Sequence, residues 1–201
     1  MNLYFDMEFT GLKKKTDIIS IGIISDTKET LFYAELNDYD DENLDKWIVN
    51  NVIKNLLLNR KASVNKIKDM RYVIKGSFDE VSYKLNKFLE GLVDTLPKNE
   101  KIQFVSDVCH YDFVLLVDLI TDKQSALNLP DYISPTCYDI NQLIAKEMNI
   151  SLSDAFDLNR EELLNSNISD FSNLKHNSLY DAKVIRLLYR KFNKRGGHKN
   201  A

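Results

Sequence analysis

Asn2-Leu3-Tyr4-Phe5-Asp6-Met7-Glu8-Phe9-Thr10-Gly11-Leu12 is the stretch from which the rest of the chain can be read. Its side chains alternate, with Leu3, Phe5, Met7 and Phe9 on one face and Tyr4, Asp6 and Glu8 on the other. That is the period of a strand. Asp6 and Glu8 therefore point the same way, about 6.6 Å apart. Two carboxylates on one strand face repel unless a cation offsets them, and hard divalent cations take oxygen ligands. A solvent-facing strand edge would explain an isolated Asp-x-Glu equally well. Here the strand reads as central, and Thr10-Gly11 follows at once, giving a turn where backbone can approach a ligand closely.

Working outward, Asp17–Ser25 is isoleucine-rich and reads as a strand buried on both faces, and Thr30–Leu36 as a third strand. The short links between them predict an antiparallel meander. Helical spacing over Asp41–Leu58 puts Leu44, Trp47, Ile48, Ile53 and Leu57 in the core. Ser77–Val93 is a clearer helix, with Ser77 and Glu80 in capping-box spacing. A strand over Lys101–Ser106, a helix over His110–Ile120, a short strand near Thr136–Tyr138 and helices over Asp139–Met148 and Ser178–Phe192 complete the pattern. Three antiparallel strands followed by αβ alternation predict a mixed five-stranded sheet flanked by helices, the order of a ribonuclease-H-like α/β fold. Beyond the Asp41–Leu58 helix, the long Asn- and Lys-rich segment Asp38–Arg71 carries no further element in this reading.

With 201 residues the chain suits one domain, 1–192, followed by a basic flexible tail, 193–201. Two cysteines, Cys109 and Cys137, form no CxxC pair, so a disulfide scaffold or structural zinc site is not expected. No secretory leader is expected, because Asp6 and Glu8 break the first apolar stretch. The Phe113–Ile120 run is too short to span a bilayer. A cytoplasmic location, away from membranes, follows as an expectation. The net charge of −3 disfavours a bulk nucleic-acid binder. It leaves room for an enzyme whose acidic centre is neutralised by bound cations.

Two further signals join the first. Asp112, in Tyr111-Asp112-Phe113, stands at the start of a helix that follows a strand, where the helix dipole also favours a carboxylate. Asp107, at the strand end, is its rival for a ligand role. In His176-Asn-Ser-Leu-Tyr-Asp181, Ser178 and Asp181 have capping-box spacing, which gives Asp181 a structural explanation, while His176 falls in the loop before the helix. An imidazole there, with an unperturbed pKa near 6.5, suits a general base. Taken together, these residues supply the carboxylates and the base that two divalent ions need to hydrolyse a phosphodiester. Lys13-Lys14-Lys15 and the basic residues of the last helix and its end (Lys183, Arg186, Arg190, Lys191, Lys194 and Arg195) suit a strand path, although each taken singly reads more readily as a solvated helix face.

This set resembles the DEDDh (DnaQ-like) 3′→5′ exonucleases, relatives of a polymerase proofreading subunit, ribonuclease T and oligoribonuclease. Asp6-Met-Glu8-Phe-Thr10-Gly11-Leu12 is similar to their first motif, Tyr111-Asp112-Phe113 to the second and His176 to Asp181 to the third. Asp17-Ile-Ile-Ser-Ile-Gly22-Ile, Tyr138-Asp139-Ile-Asn-Gln-Leu143 and His176-Asn-Ser-Leu-Tyr-Asp181-Ala182 resemble the subgroup that includes ribonuclease AS. The resemblance implies two Mg²⁺ or Mn²⁺ ions on Asp6, Glu8, Asp112 and Asp181. Asp6 would bridge the ions, Glu8 and Asp181 would complete the water-activating site, Asp112 would hold the second ion, and His176 would be the base. It implies that Phe9, Thr10 and Gly11 contact the terminal nucleotide of a single-stranded substrate, RNA ahead of DNA, with nucleoside 5′-monophosphates as products. It allows an adenylate preference and a homodimer. The competing readings are an endonuclease or nucleotide phosphohydrolase on the same metals, and an inactive nucleic-acid-binding adaptor on the same fold.

Overall fold

A computed structural model describes residues 1–26, 31–58, 72–164 and 174–196. The expected meander forms from β1 (Asn2–Phe9), β2 (Ile18–Ser25) and β3 (Leu31–Leu36). Helix α1 (Lys46–Asn51) is followed by a 3-10 turn at Ile53–Asn55 and, after a segment outside the described residues, by β4 (Tyr72–Gly76). Then come α2 (Phe78–Val93), β5 (Ile102–Ser106), α3 (Cys109–Thr121), β6 (Ile133–Asp139) and α4 (Ile140–Met148). Two short helices, α5 (Leu152–Asp157) and α6 (Arg160–Leu164), precede the long α7 (Ser178–Gly196).

The sheet order is β4-β3-β2-β1-β5-β6. β2 is antiparallel to both β1 and β3, and the β3–β4, β1–β5 and β5–β6 pairs are parallel. On one face Leu3, Phe5 and Met7 pack with α2 and α3 through Val81, Leu85, Phe88, Leu116 and Leu119. On the other, Tyr4 and Tyr33 pack with α4 and α7 through Ile144, Ile185 and Leu188. β2 is buried along its whole length, as an isoleucine-rich central strand must be when both faces are covered. The alternation read in β1 thus separates two cores, and Asp6 and Glu8 belong to the face that α7 covers.

Several expectations are corrected. The sheet has six strands rather than five. β4 has only five residues and sits at the sheet edge, paired in parallel with β3, so its pattern is too brief to stand out after the polar segment. The Asp41–Leu58 helix shrinks to six residues of α1 and the 3-10 turn. There Asn51 and Asn55 donate their side-chain amides to the carbonyls of Trp47 and Asn51, competing locally with helix propagation. Trp47 is consequently 52% exposed rather than in the core, while Ile48, Val52, Leu56 and Leu57 are buried. The helices α5 and α6 carry no strong periodicity and were not anticipated from the pattern. Finally, α7 continues beyond Phe192 to Gly196. Thr30, residues 59–71 and residues 197–201 lie outside the described residues. Among the described residues no helix is long and apolar enough to cross a membrane.

The capping box of α2 is present as read: Ser77 Oγ accepts from Glu80 N at 3.4 Å and Glu80 Oε2 accepts from Ser77 N at 2.9 Å. At α7 the capping residue is Asn177 instead of Ser178. Asn177 Oδ1 accepts from Tyr180 N at 3.3 Å, and the Ser178 hydroxyl lies 3.0 Å from that of Ser20 in β2. That inter-element contact is possible because Gly22 leaves the sheet surface bare beneath the helix start. A Cβ on Gly22 would come within 2.4 Å of Leu179 N and 2.5 Å of Leu179 Cα. Both are backbone atoms and cannot rotate away.

Opposite outcomes are expected for two glycine-to-alanine changes. Gly22→Ala must push α7 off β2 and should cost about 1–3 kcal/mol or more, as overpacking does. Gly91→Ala, in α2 with nothing within 4 Å of the added carbon, should gain about 0.5–1 kcal/mol. Urea midpoints of the two variants check this, and equal shifts would refute the close-approach argument.

Candidate active site

The site forms where β1 runs on past the end of β5, in the crevice outside the carboxyl end of that parallel strand. β1 pairs with β5 only from Asn2 to Tyr4. Beyond that point the β1 backbone needs another acceptor on this side. Asp112 supplies it: from the first turn of α3 its Oδ1 accepts from Met7 N at 2.9 Å, and the side chain is buried. This bond holds Asp112 between Asp6 and Glu8 along the strand. From the other side, the seat of α7 on Gly22 is decisive, because Gly22 is the β2 partner of Asp6 in the sheet register. The first turn of α7 is thereby laid against β1, carrying Asp181 to Asp6 and Glu8.

Asp6, Glu8, Asp112, His176 and Asp181 line one cleft of about 440 Å³, with Phe9, Leu12, Asp107, Tyr111 and Phe156. The ligand-capable atoms of Glu8, His176 and Asp181 all lie within 4.8 Å of one another. His176 N donates to Asp181 Oδ2 at 3.0 Å. The His176 backbone is left-handed, φ +63°, a conformation costing a non-glycine residue about 1–3 kcal/mol. The bend turns its ring toward Trp47, with centroids 4.8 Å apart and an edge-on geometry.

The electrostatics follow from burial. Desolvation raises the Asp6 and Glu8 carboxyls well above the usual range, and the charges of Asp181 and Asp112 raise them further. Asp181 is pushed up to about 8, mainly by burial and partly offset by the His176 N–H. Asp112 is pushed up to about 7 by burial, against the lowering effect of the Met7 N–H. Burial, with help from Lys175, lowers His176 below its ordinary value. Four crowded carboxylates with raised pKa values form an all-oxygen donor set that suits hard divalent cations such as Mg²⁺ and Mn²⁺. Asp107 lines the same cleft but has its own counter-charge. Arg160 grips it through Nε at 2.7 Å and Nη2 at 2.8 Å, and Asn141 Nδ2 adds a bond at 3.2 Å.

The other predicted contacts divide. Phe9 lines the cleft and stacks on Tyr111, centroids 6.0 Å apart. Phe9, Gly11 and the 72%-exposed Leu12 also line an adjoining groove of about 390 Å³ with Trp47, Ile48 and Glu8. Thr10 lines neither; its hydroxyl accepts from Asp17 N at 3.0 Å and closes the turn after β1. Lys13, Lys14 and Lys15 line a third groove with His110 and Tyr111. By contrast, Arg186, Arg190 and Lys191 of α7 donate to backbone carbonyls of Ser25, Asp26 and Leu163. Trp47 and Arg160 are missing from the sequence-derived site. Helical spacing explained Trp47 as core, and nothing in the sequence ties Arg160 to Asp107.

A pH dependence follows from the carboxylates. A carboxyl whose folded pKa is raised contributes stability at pH values below its unfolded pKa, and that contribution is lost as pH rises through the folded pKa. His176, lowered, acts in the opposite sense but is one group against four. The thermal midpoint of the metal-free protein should therefore fall between about pH 5 and pH 8, with a shallower fall in Asp181→Asn. Saturating Mg²⁺ should remove most of the slope. A metal-free midpoint that rises over this window would contradict the assignment.

Comparison with known proteins agrees with this architecture. A model of the RNase T family, described as exonuclease, matches residues 3–189. No curated protein matches by sequence. Among solved structures, a 3′-exonuclease described in 3′-end-specific recognition of a histone mRNA stem-loop superposes with a TM-score of 0.61 at 14% identity, over 97% of this chain and 82% of that one. A full-length 3′-exonuclease gives 0.60 at 14% identity with the same coverage. At that identity the likeness speaks for the fold, the mixed sheet flanked by helices. With the family model spanning nearly the whole chain, this protein belongs to the RNase T exonuclease family.

Proposed function

We propose that this protein removes nucleotides one at a time from the 3′ end of single-stranded nucleic acid, RNA ahead of DNA, releasing nucleoside 5′-monophosphates. The observation that carries the reading is the convergence of Asp6, Glu8, Asp112, Asp181 and His176 on one cleft from β1, α3, the loop before α7 and α7 itself. Two Mg²⁺ or Mn²⁺ ions held by Asp6, Glu8, Asp112 and Asp181 would supply the charge that activates water and offsets the negative charge of the reacting phosphodiester.

The protein's own groups account for the remaining work. His176, kept neutral by burial, accepts a proton from the attacking water. The groove between Leu12 and Trp47 offers two exposed apolar side chains beside Glu8, a place for a terminal nucleoside to stack. Gly11, at φ +148°, bends the loop so that its backbone can come close to that nucleoside. Upstream, Tyr111 lines both the catalytic cleft and the lysine groove, so a strand leaving the cleft over Tyr111 meets Lys13, Lys14 and Lys15. Those ammonium groups favour the phosphates locally although the whole chain carries −3. RNA is placed first on the motif resemblance to ribonuclease AS. A 3′-exonuclease of the same fold also recognises an RNA 3′ end.

The test is digestion of 5′-labelled RNA and DNA strands with Mg²⁺. A ladder shortening from the 3′ end, mononucleotide product and full inhibition by EDTA are expected; internal fragments or activity without metal would refute the reading. Asp112→Ala should abolish turnover, whereas Asp107→Ala should keep most of it and lose thermal stability with its Arg160 pair. His176→Ala should slow turnover by about 10²–10⁴-fold and flatten the acid limb of the pH–rate profile.

A further inference from the structure

We propose that Tyr33, a fully buried residue of β3 that does not itself line the cleft, is a positioning residue for His176, acting through Asn177. The proposal rests on the assignment of His176 as the base. Tyr33 Oη donates to Glu35 Oε1 at 2.7 Å and accepts from Asn177 Nδ2 at 3.1 Å and Leu57 N at 3.4 Å. One donor and two acceptor positions are the full capacity of a phenol hydroxyl, so it is saturated. Asn177, 1% exposed, is also fully used: Nδ2 donates a second bond to Asn55 O at 3.0 Å, and Oδ1 caps α7. On the other side of His176, Lys175 O accepts from Asn55 Nδ2 at 2.6 Å. Both neighbours of the histidine are thus tied down, Asn177 to β3 and Lys175 to the turn that follows α1.

This arrangement does what His176 itself cannot. A left-handed histidine relaxes to an ordinary conformation unless its surroundings over-determine it. The ring packs edge-on against Trp47; the turn bond from Asn177 N to Leu174 O and the bond from His176 N to Asp181 close the bend, and the ties of Asn177 and Lys175 fix it to the sheet and to the turn after α1. Glu35, buried beside Tyr33 on the same strand face, accepts the phenol proton and Leu58 N at 2.9 Å, which points the hydroxyl oxygen's free capacity toward Asn177. Asn55, one bond away, also donates to Asn51 O at the end of α1, the helix that carries Trp47. Asn55 thus ties the residue before the base to the helix that carries Trp47, so the position of the imidazole against Trp47 reports whether the loop is in place. A shift of about 1 Å in such a group can cost on the order of 100-fold in rate.

The test uses the full chain. Tyr33→Phe should lower kcat by about 10- to 100-fold with KM unchanged. In a His176→Ala background it should cost almost nothing more, because both changes remove the same contribution. Trp47 is the only tryptophan, and its emission, measured without substrate or metal, should rise in Tyr33→Phe as the imidazole withdraws from its edge. Asn177→Ala, which breaks the same contact from the other end, should give the same rate loss and the same emission change. An equal rate loss from Tyr33→Phe with and without His176, unchanged emission with normal kcat, or failure of both variants to fold would overturn the proposal. A normal rate in His176→Ala alone would instead overturn the base assignment, and Trp47 emission would then separately decide whether Tyr33 holds the loop.

Discussion

The seat of α7 on Gly22 is the contact on which the rest of the site depends. Across β1, β2 and β3 the register places Asp6, Gly22 and Tyr33 in one row, and Glu8, Ser20 and Glu35 in the next. The helix start lies over the middle of these rows, with Ser178 against Ser20 and Leu179 against Gly22. From that position its flanks reach both ways, Asp181 toward the β1 carboxylates and Asn177 toward Tyr33. Any side chain at 22 would clash with the backbone of Leu179 and push the helix, with Asp181, away from the sheet. The bare patch of backbone is therefore as much a part of the site as the acidic residues.

What this geometry assembles is unfavourable by itself. Carboxylates brought together under a helix lose water and repel one another, and their raised pKa values express both costs. Clusters with such perturbed values are concentrated at functional sites. Around them the fold uses ordinary means: two apolar cores, an N–H donated to Asp112, and an arginine that gives Asp107 a counter-charge, although the Asp107 charge still adds to the rise of Asp6, Asp112 and Asp181. The strained His176 backbone is held in the same way, by bonds to its neighbours rather than by its own preference.

Much of this was legible in the sequence where the physics is local. Alternation in β1 separated Asp6 and Glu8 from Leu3 and Phe5, unbroken isoleucines marked β2 as central, and Ser77 with Glu80 gave the start of α2. The family resemblance chose Asp112 over Asp107, and the structure gives Asp107 a counter-charge of its own. The failures were non-local. β4 is a strand because β3 offers it an edge. Trp47 is exposed because α1 ends after six residues and buries only the Ile48 side. Asn177 displaced Ser178 as the cap because Ser178 was needed against Ser20, a partner 158 residues away. Tyr33 and Arg160 likewise acquire their roles from contacts that no spacing announces.

The central claim is that the cluster exists to hold a pair of divalent cations. Calorimetric titration of the metal-free protein with Mn²⁺, without substrate, tests it most directly. The account predicts two ions bound per chain in the native protein and loss of both in Asp6→Ala, with the fold retained. Binding of no ion, or a stoichiometry left unchanged by Asp6→Ala, would contradict it.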